Sequence, residues 1–267
     1  MNAKLKLFLK FLGYACAIFV IFGPISSIVL WSLAQKWYWP HLFPQELGLF
    51  YWQKVLGGNI MHSLALSFYI AILVTLLTLL FTVPMSYLLA RYKIPAKGLI
   101  LTLFLLPQAF PQLPVFTNAM VLLYRWDLVG TMPGVVLIHL VGALVYSVWT
   151  LVSVFRSIPI ALEEAAINVG ASKLRVFFTI ALPNAIPGII AASLLVFLYS
   201  LDEFTGTLLI GSPFITTMPI YMYKTAMGYE MQVAAITALL LMLPGLLLLF
   251  LIEKYLKSQY LATFGRG

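Results

Sequence analysis

Residues 160–183 read IALEEAAINVGASKLRVFFTIALP, a polar segment rich in small residues between two of the most apolar stretches of the chain. Residues 160–169 fit a short helix ending at Gly170, a residue free to take left-handed backbone. Ser172 is placed to cap a second helix, which Leu182-Pro183 is expected to stop after Ala181. Glu163 and Glu164 project from the start of the first helix, where the helix dipole favours carboxylates and a partner's arginines could pair with them. Ala165, Ala166 and Val169 give the same helix a low, smooth face. Leu174, Phe177 and Phe178 form an apolar stripe on the second. A plain connector needs only a few polar residues. This segment, long and punctuated as paired helices, reads as a docking element.

The surroundings decide what kind of protein carries it. Of 267 residues, 63% are hydrophobic and only 9% charged, against about 25% charged in a soluble domain. Such a chain has too few polar groups to cover a globular surface, so its apolar surface faces lipid. The reading is an all-α polytopic membrane protein with six spans, near residues 10–33, 62–90, 98–123, 133–155, 185–211 and 233–252. Each can cross an apolar core of about 30 Å. Pro84, Pro107, Pro111 and Pro114 are expected to kink the second and third spans. The first span lacks a small-residue cleavage site and reads as an uncleaved helix.

The net charge of +8 raises the question of nucleic acid. The cations instead sit in groups of three beside apolar runs, which is how orientation in a bilayer is set. Lys4, Lys6 and Lys10, Arg91, Lys93 and Lys97, Arg156, Lys173 and Arg175, and Lys254, Lys257 and Arg266 fall on one side. Only Lys36, Lys54, Arg125 and Lys224 fall on the other. Both termini and the quoted segment are therefore expected to be cytoplasmic. The opposite loop, residues 34–61, holds Trp37, Tyr38, Trp39, Tyr51 and Trp52, an interfacial aromatic belt. Cys16 has no partner for an intrachain disulfide, and His41 and His62 lack the companions of a metal site. His139, alone in the fourth span, reads as a hydrogen-bonded packing residue rather than a proton relay.

The segment Glu164-Ala165-Ala166, three residues, Gly170, nine residues, Ile180-Ala181-Leu182-Pro183 resembles the signature loop of permease subunits of bacterial ATP-binding-cassette importers. Arg156-Ser157-Ile158-Pro159 and Glu163 share the likeness. The resemblance implies a type I importer permease fold. It divides the chain into residues 1–57 (tail, first helix and external loop), a core permease domain at 58–253 with its coupling loop at 156–184, and a cytoplasmic tail at 254–267. The tail reads by default as a frayed end, with a further contact to the ATPases, anchored by Tyr260 and Phe264, as the alternative. The resemblance implies that Glu163, Glu164, Ala165, Ala166, Gly170, Ala171, Leu182 and Pro183 couple the chain to a cytoplasmic ATPase dimer. ATP and Mg would bind that partner, since this chain has no phosphate-binding G-x-x-x-x-G-K-[ST] loop. A second permease, homologue or second copy, and an extracytoplasmic solute-binding protein complete the implied assembly, in the bacterial inner membrane and without nucleic acid, bound cofactor or metal.

The solute is less legible. Asp202 and Glu203, in SLDEFTGTLLIGSPFITTMPIYMY (200–223), are the acidic pair near the end of the fifth span. Ionisable groups there usually face the bundle interior or water; the pair reads equally as a structural one, matched to a partner-chain cation or set near the interface, and as a tentative pathway pair for a cation. The region resembles that of spermidine/putrescine permeases, so a polyamine is the favoured solute. Iron(III), thiosulfate, aminoethylphosphonate, an opine or a sugar are the alternatives. An ion-coupled secondary transporter is the rival of another class; it would need internal repeats and broken helices at the midplane, and the chain shows no repeat.

Overall fold

The computed structural model describes residues 3–38, 40–58 and 60–264. In chain order the elements are α1 (Ala3–Leu33), β1 (Ala34–Lys36), β2 (Glu46–Leu47), α2 (Phe50–Leu56), α3 (Ile60–Arg91), α4 (Lys97–Ala109), α5 (Gln112–Tyr124), α6 (Met132–Ser157), α7 (Ile160–Asn168) and α8 (Lys173–Val176). A π-helical turn at Phe177–Ala181 follows, then α9 (Leu182–Asp202), α10 (Thr205–Ile210), α11 (Met218–Met227) and α12 (Met231–Phe264). The side chains of residues 251–264, the proposed tail anchors Tyr260 and Phe264 among them, and all of Trp39 and Arg266 lie outside the described residues.

Among the described residues, Lys10–Leu33, Ile60–Arg91, Met132–Ser157, Lys173–Asp202 and Met231–Leu248 are long and apolar enough to cross a membrane. The third expected span is not one kinked helix. It is two helices, α4 and α5, bent by 101°. Pro111 supplies the reason: it disfavours helical backbone at the residue before it, and Phe110 is extended, with φ −107° and ψ 152°. The fifth span is also displaced from the expected 185–211. Leu182-Pro183 does not stop the helix, because the π turn just before it widens the backbone and absorbs the missing Pro183 N–H. The span ends instead at Asp202.

The chain folds as two compact units. One comprises Met1–Ser63 and Met218–Pro244. Within it, β1 and β2 pair antiparallel, Trp31 stacks on Trp37 at 4.2 Å between ring centroids, and Lys54 of α2 meets Glu230 at 2.9 Å. That contact raises the Lys54 ammonium above its ordinary pKa through the hydrogen bond to Glu230. The pair is exposed, so it contributes little to stability.

The other unit comprises Leu64–Thr217 and Gly245–Gly267. Its helices are turned as lipid requires. On α3, Tyr69, Ile72, Leu76 and Leu80 are exposed, while Ile70, Val74, Thr78, Thr82 and Ser86 are buried. Thr82 shares a 2.6 Å hydrogen bond with Ser147 of α6, and small polar residues of this kind join helices in membranes. The α6 and α9 helices approach closely at two glycines. A Cβ on Gly142 would overlap the Tyr199 ring, and one on Gly188 would overlap the Val154 side chain. Gly142→Val and Gly188→Val should therefore each lower the unfolding midpoint of the purified protein in detergent, by about 1–3 kcal/mol of overpacking. Gly98→Ala, in α4 with nothing within 4 Å of the added carbon, should leave the midpoint unchanged or raise it.

Candidate functional site

The loop between α6 and α9 is built by local backbone chemistry. Ile158 is extended ahead of Pro159, which caps α7. At the other end Gly170 takes φ +91°. Its N–H donates to Ile167 O at 2.9 Å, and the Ala171 N–H reaches back to Ala166 O at 3.0 Å. These two bonds form a Schellman closure, which uses glycine at the left-handed position. Ser172 then accepts the Arg175 N–H at 3.3 Å and starts α8, as its sequence position indicates.

Glu163 and Glu164 part company. Adjacent residues on a helix point about 100° apart, and Glu163 turns inward instead of projecting. Its side chain is 7% exposed, and its Oε1 accepts from Arg91 Nε at 2.7 Å. Tyr87 Oη donates to Oε2 at 2.8 Å, and Arg91 Nη2 donates to Ile158 O at 2.9 Å. Glu163 thus bolts α7 to the last turn of α3 and has no oxygen left idle for a partner. Glu164 and Ala165 are exposed, with Ala166 and Ala171 half-buried. Ile160, Leu162, Ile167, Val169 and Leu174 are exposed around them. Phe177 leaves the expected apolar stripe and packs on Tyr87 at 4.9 Å between centroids. Leu182 and Pro183 sit in the first turn of α9, Leu182 half-buried and Pro183 exposed.

The acidic pair of the fifth span divides in the same way. Glu203 is extended, with ψ 119°, and ends α9. It is 5% exposed. Its Oε1 accepts the Gly206 N–H at 2.7 Å, and its Oε2 accepts the Thr207 N–H at 2.9 Å and the Thr207 hydroxyl at 3.0 Å. His139 Nε2 lies 3.3 Å from the same Oε2 and 2.8 Å from Thr207 Oγ1, while Nδ1 lies 2.8 Å from Ser200 Oγ. His139 is therefore a satisfied core residue, joined to groups 61 and 68 positions away in sequence. No sequence pattern pairs it with Glu203. Asp202 is exposed and lines a cavity of about 430 Å³ with Gln112, Tyr146, Tyr199, Phe204 and Thr205. Tyr146 and Tyr199 lie 5.2 Å apart there.

The two glutamates of the loop should respond differently to truncation. Glu163→Ala strands a nearly buried guanidinium, so the purified protein should lose about 3 kcal/mol of stability. Glu164→Ala, at an exposed position, should change it by less than about 0.5 kcal/mol. Thermal unfolding of both variants in detergent reads the contrast, and equal losses would reject the bolt.

Comparison with known proteins places these features. A family model described as the binding-protein-dependent transport system inner membrane component matches residues 82–260. A putative ABC transporter permease protein from Streptomyces antibioticus is 30% identical over 203 residues, covering 75% of this chain and 89% of that one. A sulfoquinovosyl glycerol transport system permease protein from Agrobacterium fabrum is 28% identical over 204 residues, 75% of this chain and 72% of the relative. A putrescine transport system permease protein from Escherichia coli is 34% identical, but over only 106 residues, 39% of this chain and 38% of the relative. A crystal structure of a bacterial ABC transporter that imports the acidic polysaccharide alginate shares the fold, with a TM-score of 0.73 at 17% identity, covering 96% of this chain and 98% of that one. With the α6–α9 loop and the apolar spans, these matches identify an all-α, membrane-spanning permease subunit of an ABC importer, a member of the binding-protein-dependent transport system inner membrane components.

Proposed function

We propose that this chain forms half of the solute pathway of an ATP-driven importer and couples it to a separate ATPase dimer through α7 and the turn that follows it. The exposed surface of the loop carries this reading. Ile160, Leu162, Ile167 and Val169 are all exposed on or beside a helix that Glu163 bolts down. Several large apolar side chains left exposed on one short helix outside the spans are explained by a protein partner that covers them. Glu164 supplies the polar contact within it, Ala165 and Ala166 allow close approach, and Gly170 and Ala171 close the turn that presents Val169. ATP and Mg bind the partner. Leu182 and Pro183 transmit movement of the loop to α9, and Glu163 acts by holding α7 to α3.

A second permease chain, homologue or second copy, completes the pathway, and an extracytoplasmic binding protein delivers the solute. The chain resides in the bacterial inner membrane with both termini cytoplasmic. Residues 58–253 form the permease core, flanked by 1–57 and 254–267. The rival secondary transporter gives the exposed loop no purpose.

The solute we assign is a carbohydrate. The relative named for sulfoquinovosyl glycerol spans three quarters of the chain, whereas the putrescine relative covers 39%. The cavity beside Asp202 agrees, since two tyrosine rings, an amide and a carboxylate suit the apolar faces and hydroxyls of a sugar. Polyamine remains the second reading, favoured by the exposed Asp202 carboxylate; Glu203 is already occupied by its own chain.

Two experiments test this reading. Glu164→Ala and Gly170→Val should each reduce copurification with the ATPase and solute-stimulated ATP hydrolysis while the spans still fold. Transport by this chain alone in liposomes without ATP would sink the importer. In the complete complex, ATP hydrolysis should be stimulated by a saccharide with its binding protein, and Asp202→Ala should weaken that stimulation about tenfold, as expected for loss of a hydrogen bond to a charged group. Stimulation by putrescine or spermidine, and not by any saccharide, would reverse the solute assignment.

A further inference from the structure

A second cavity, of about 330 Å³, lies outside the solute site, and its walls are almost wholly apolar. It is lined by Tyr87, Leu88 and Tyr92 from α3 and the residues just after it, by Leu174, Phe177 and Phe178 from α8 and the π turn, and by one charged residue, Lys173. The Lys173 ammonium stands 5.5 Å from the centre of the Tyr92 ring. Among the described residues no carboxylate pairs with it. Leu88, Leu174 and Phe178 are exposed.

The position of this cavity is specific. One membrane-spanning helix ends at Arg91, and another begins at Lys173. The cavity therefore lies where two spans leave the apolar core, on the side that carries Lys93, Lys97, Arg156 and Arg175 as well. At that depth a bound molecule meets hydrocarbon below and lipid headgroups above. A carbon-lined slot suits an acyl chain. A lysine without a carboxylate partner, beginning a span, suits a phosphate at headgroup level, and lysines at span ends extend toward that level. Basic pockets between helices on the cytoplasmic side are places where anionic headgroups bind.

We propose that this cavity is a binding site for an anionic phospholipid, with its acyl chain against Tyr87, Leu88, Phe177 and Phe178 and its phosphate on Lys173. The lipid then supports the coupling loop directly, because Tyr87 forms one wall of the slot and its hydroxyl holds Glu163 of α7. The inference rests on the membrane fold and on the orientation given above, and is independent of the solute.

The test uses the complete permease complex in phosphatidylcholine nanodiscs containing either a photoreactive phosphatidylglycerol or the matching photoreactive phosphatidylcholine. Labelled peptides are mapped by mass spectrometry. Phosphatidylglycerol should label residues 84–92 and 173–178 in preference to phosphatidylcholine. Lys173→Glu should cut that labelling at least about fivefold, the loss expected for removing one lysine near an anionic surface, since the new carboxylate also repels the phosphate, and Lys173→Arg should retain it. Lys97→Glu, at the same boundary but outside the cavity, should leave it unchanged. If Lys173→Glu prevents assembly, Leu88→Trp, which fills the slot without altering charge, should abolish labelling by itself. Equal labelling by both lipids, equal effects of Lys173→Glu and Lys97→Glu, or no labelling because a protein partner covers the slot would each overturn the proposal. ATP hydrolysis is not read in this experiment, so its failure would leave the importer reading intact.

Discussion

The Arg91–Glu163 ion pair, with Tyr87 beside it, is the constraint on which the loop between α6 and α9 depends. A nine-residue helix such as α7 is too short to hold its own shape in water. Its position must come from tertiary contacts. Arg91 uses two separate nitrogens, one on the Glu163 carboxylate and one on Ile158 O, so it fixes both the helix and the turn that leads into it. Lysine, with a single point charge, could not hold both partners in this geometry. Because Glu163 faces inward, Glu164 and the apolar side chains around it face outward, and the loop presents one defined surface.

A second polar anchor does comparable work at the other end of α9. Where the span breaks at Glu203, the first N–H groups of α10 lack helical partners. The Glu203 carboxylate accepts two of them, while His139 and Thr207 close around it. An unpaired carboxylate within a membrane protein is costly, so the break and its carboxylate require each other. The outcome is a fixed corner with Asp202 just before it, exposed to the cavity of Tyr146 and Tyr199. Glu203 shapes the place, and Asp202 is the group left available in it.

The loop runs directly into a membrane span. The α8 helix continues through the π turn into α9 without a break in the chain of helical residues, and α9 packs on α6 where Gly142 and Gly188 remove the intervening carbon. Close helix contact of this kind holds the two spans in one register. The π turn exists because Pro183 cannot donate to the preceding turn, and that same proline made the sequence read as a stop. A proline shows that a hydrogen bond is missing; whether the helix ends or widens is settled by what packs around it.

Much of this protein was decided by its sequence. Apolar runs of spanning length, a glycine at the left-handed position and a serine cap are local or compositional features, and each acts through chemistry within a few residues. They set the membrane class, four of the six spans near their expected places, the two-helix loop and its family resemblance, while the break in the third span and the shift of the fifth came from the fold. What the sequence left open was which of two neighbouring carboxylates faces inward. Glu163 and Glu164, like Asp202 and Glu203, are chemically near-identical neighbours, and their roles were assigned by Arg91, Tyr87, His139 and Thr207, which reach them from other parts of the fold. The tertiary structure alone decided this, because the energy of a buried charge depends on the partners that surround it in space, and those partners are not its neighbours along the chain.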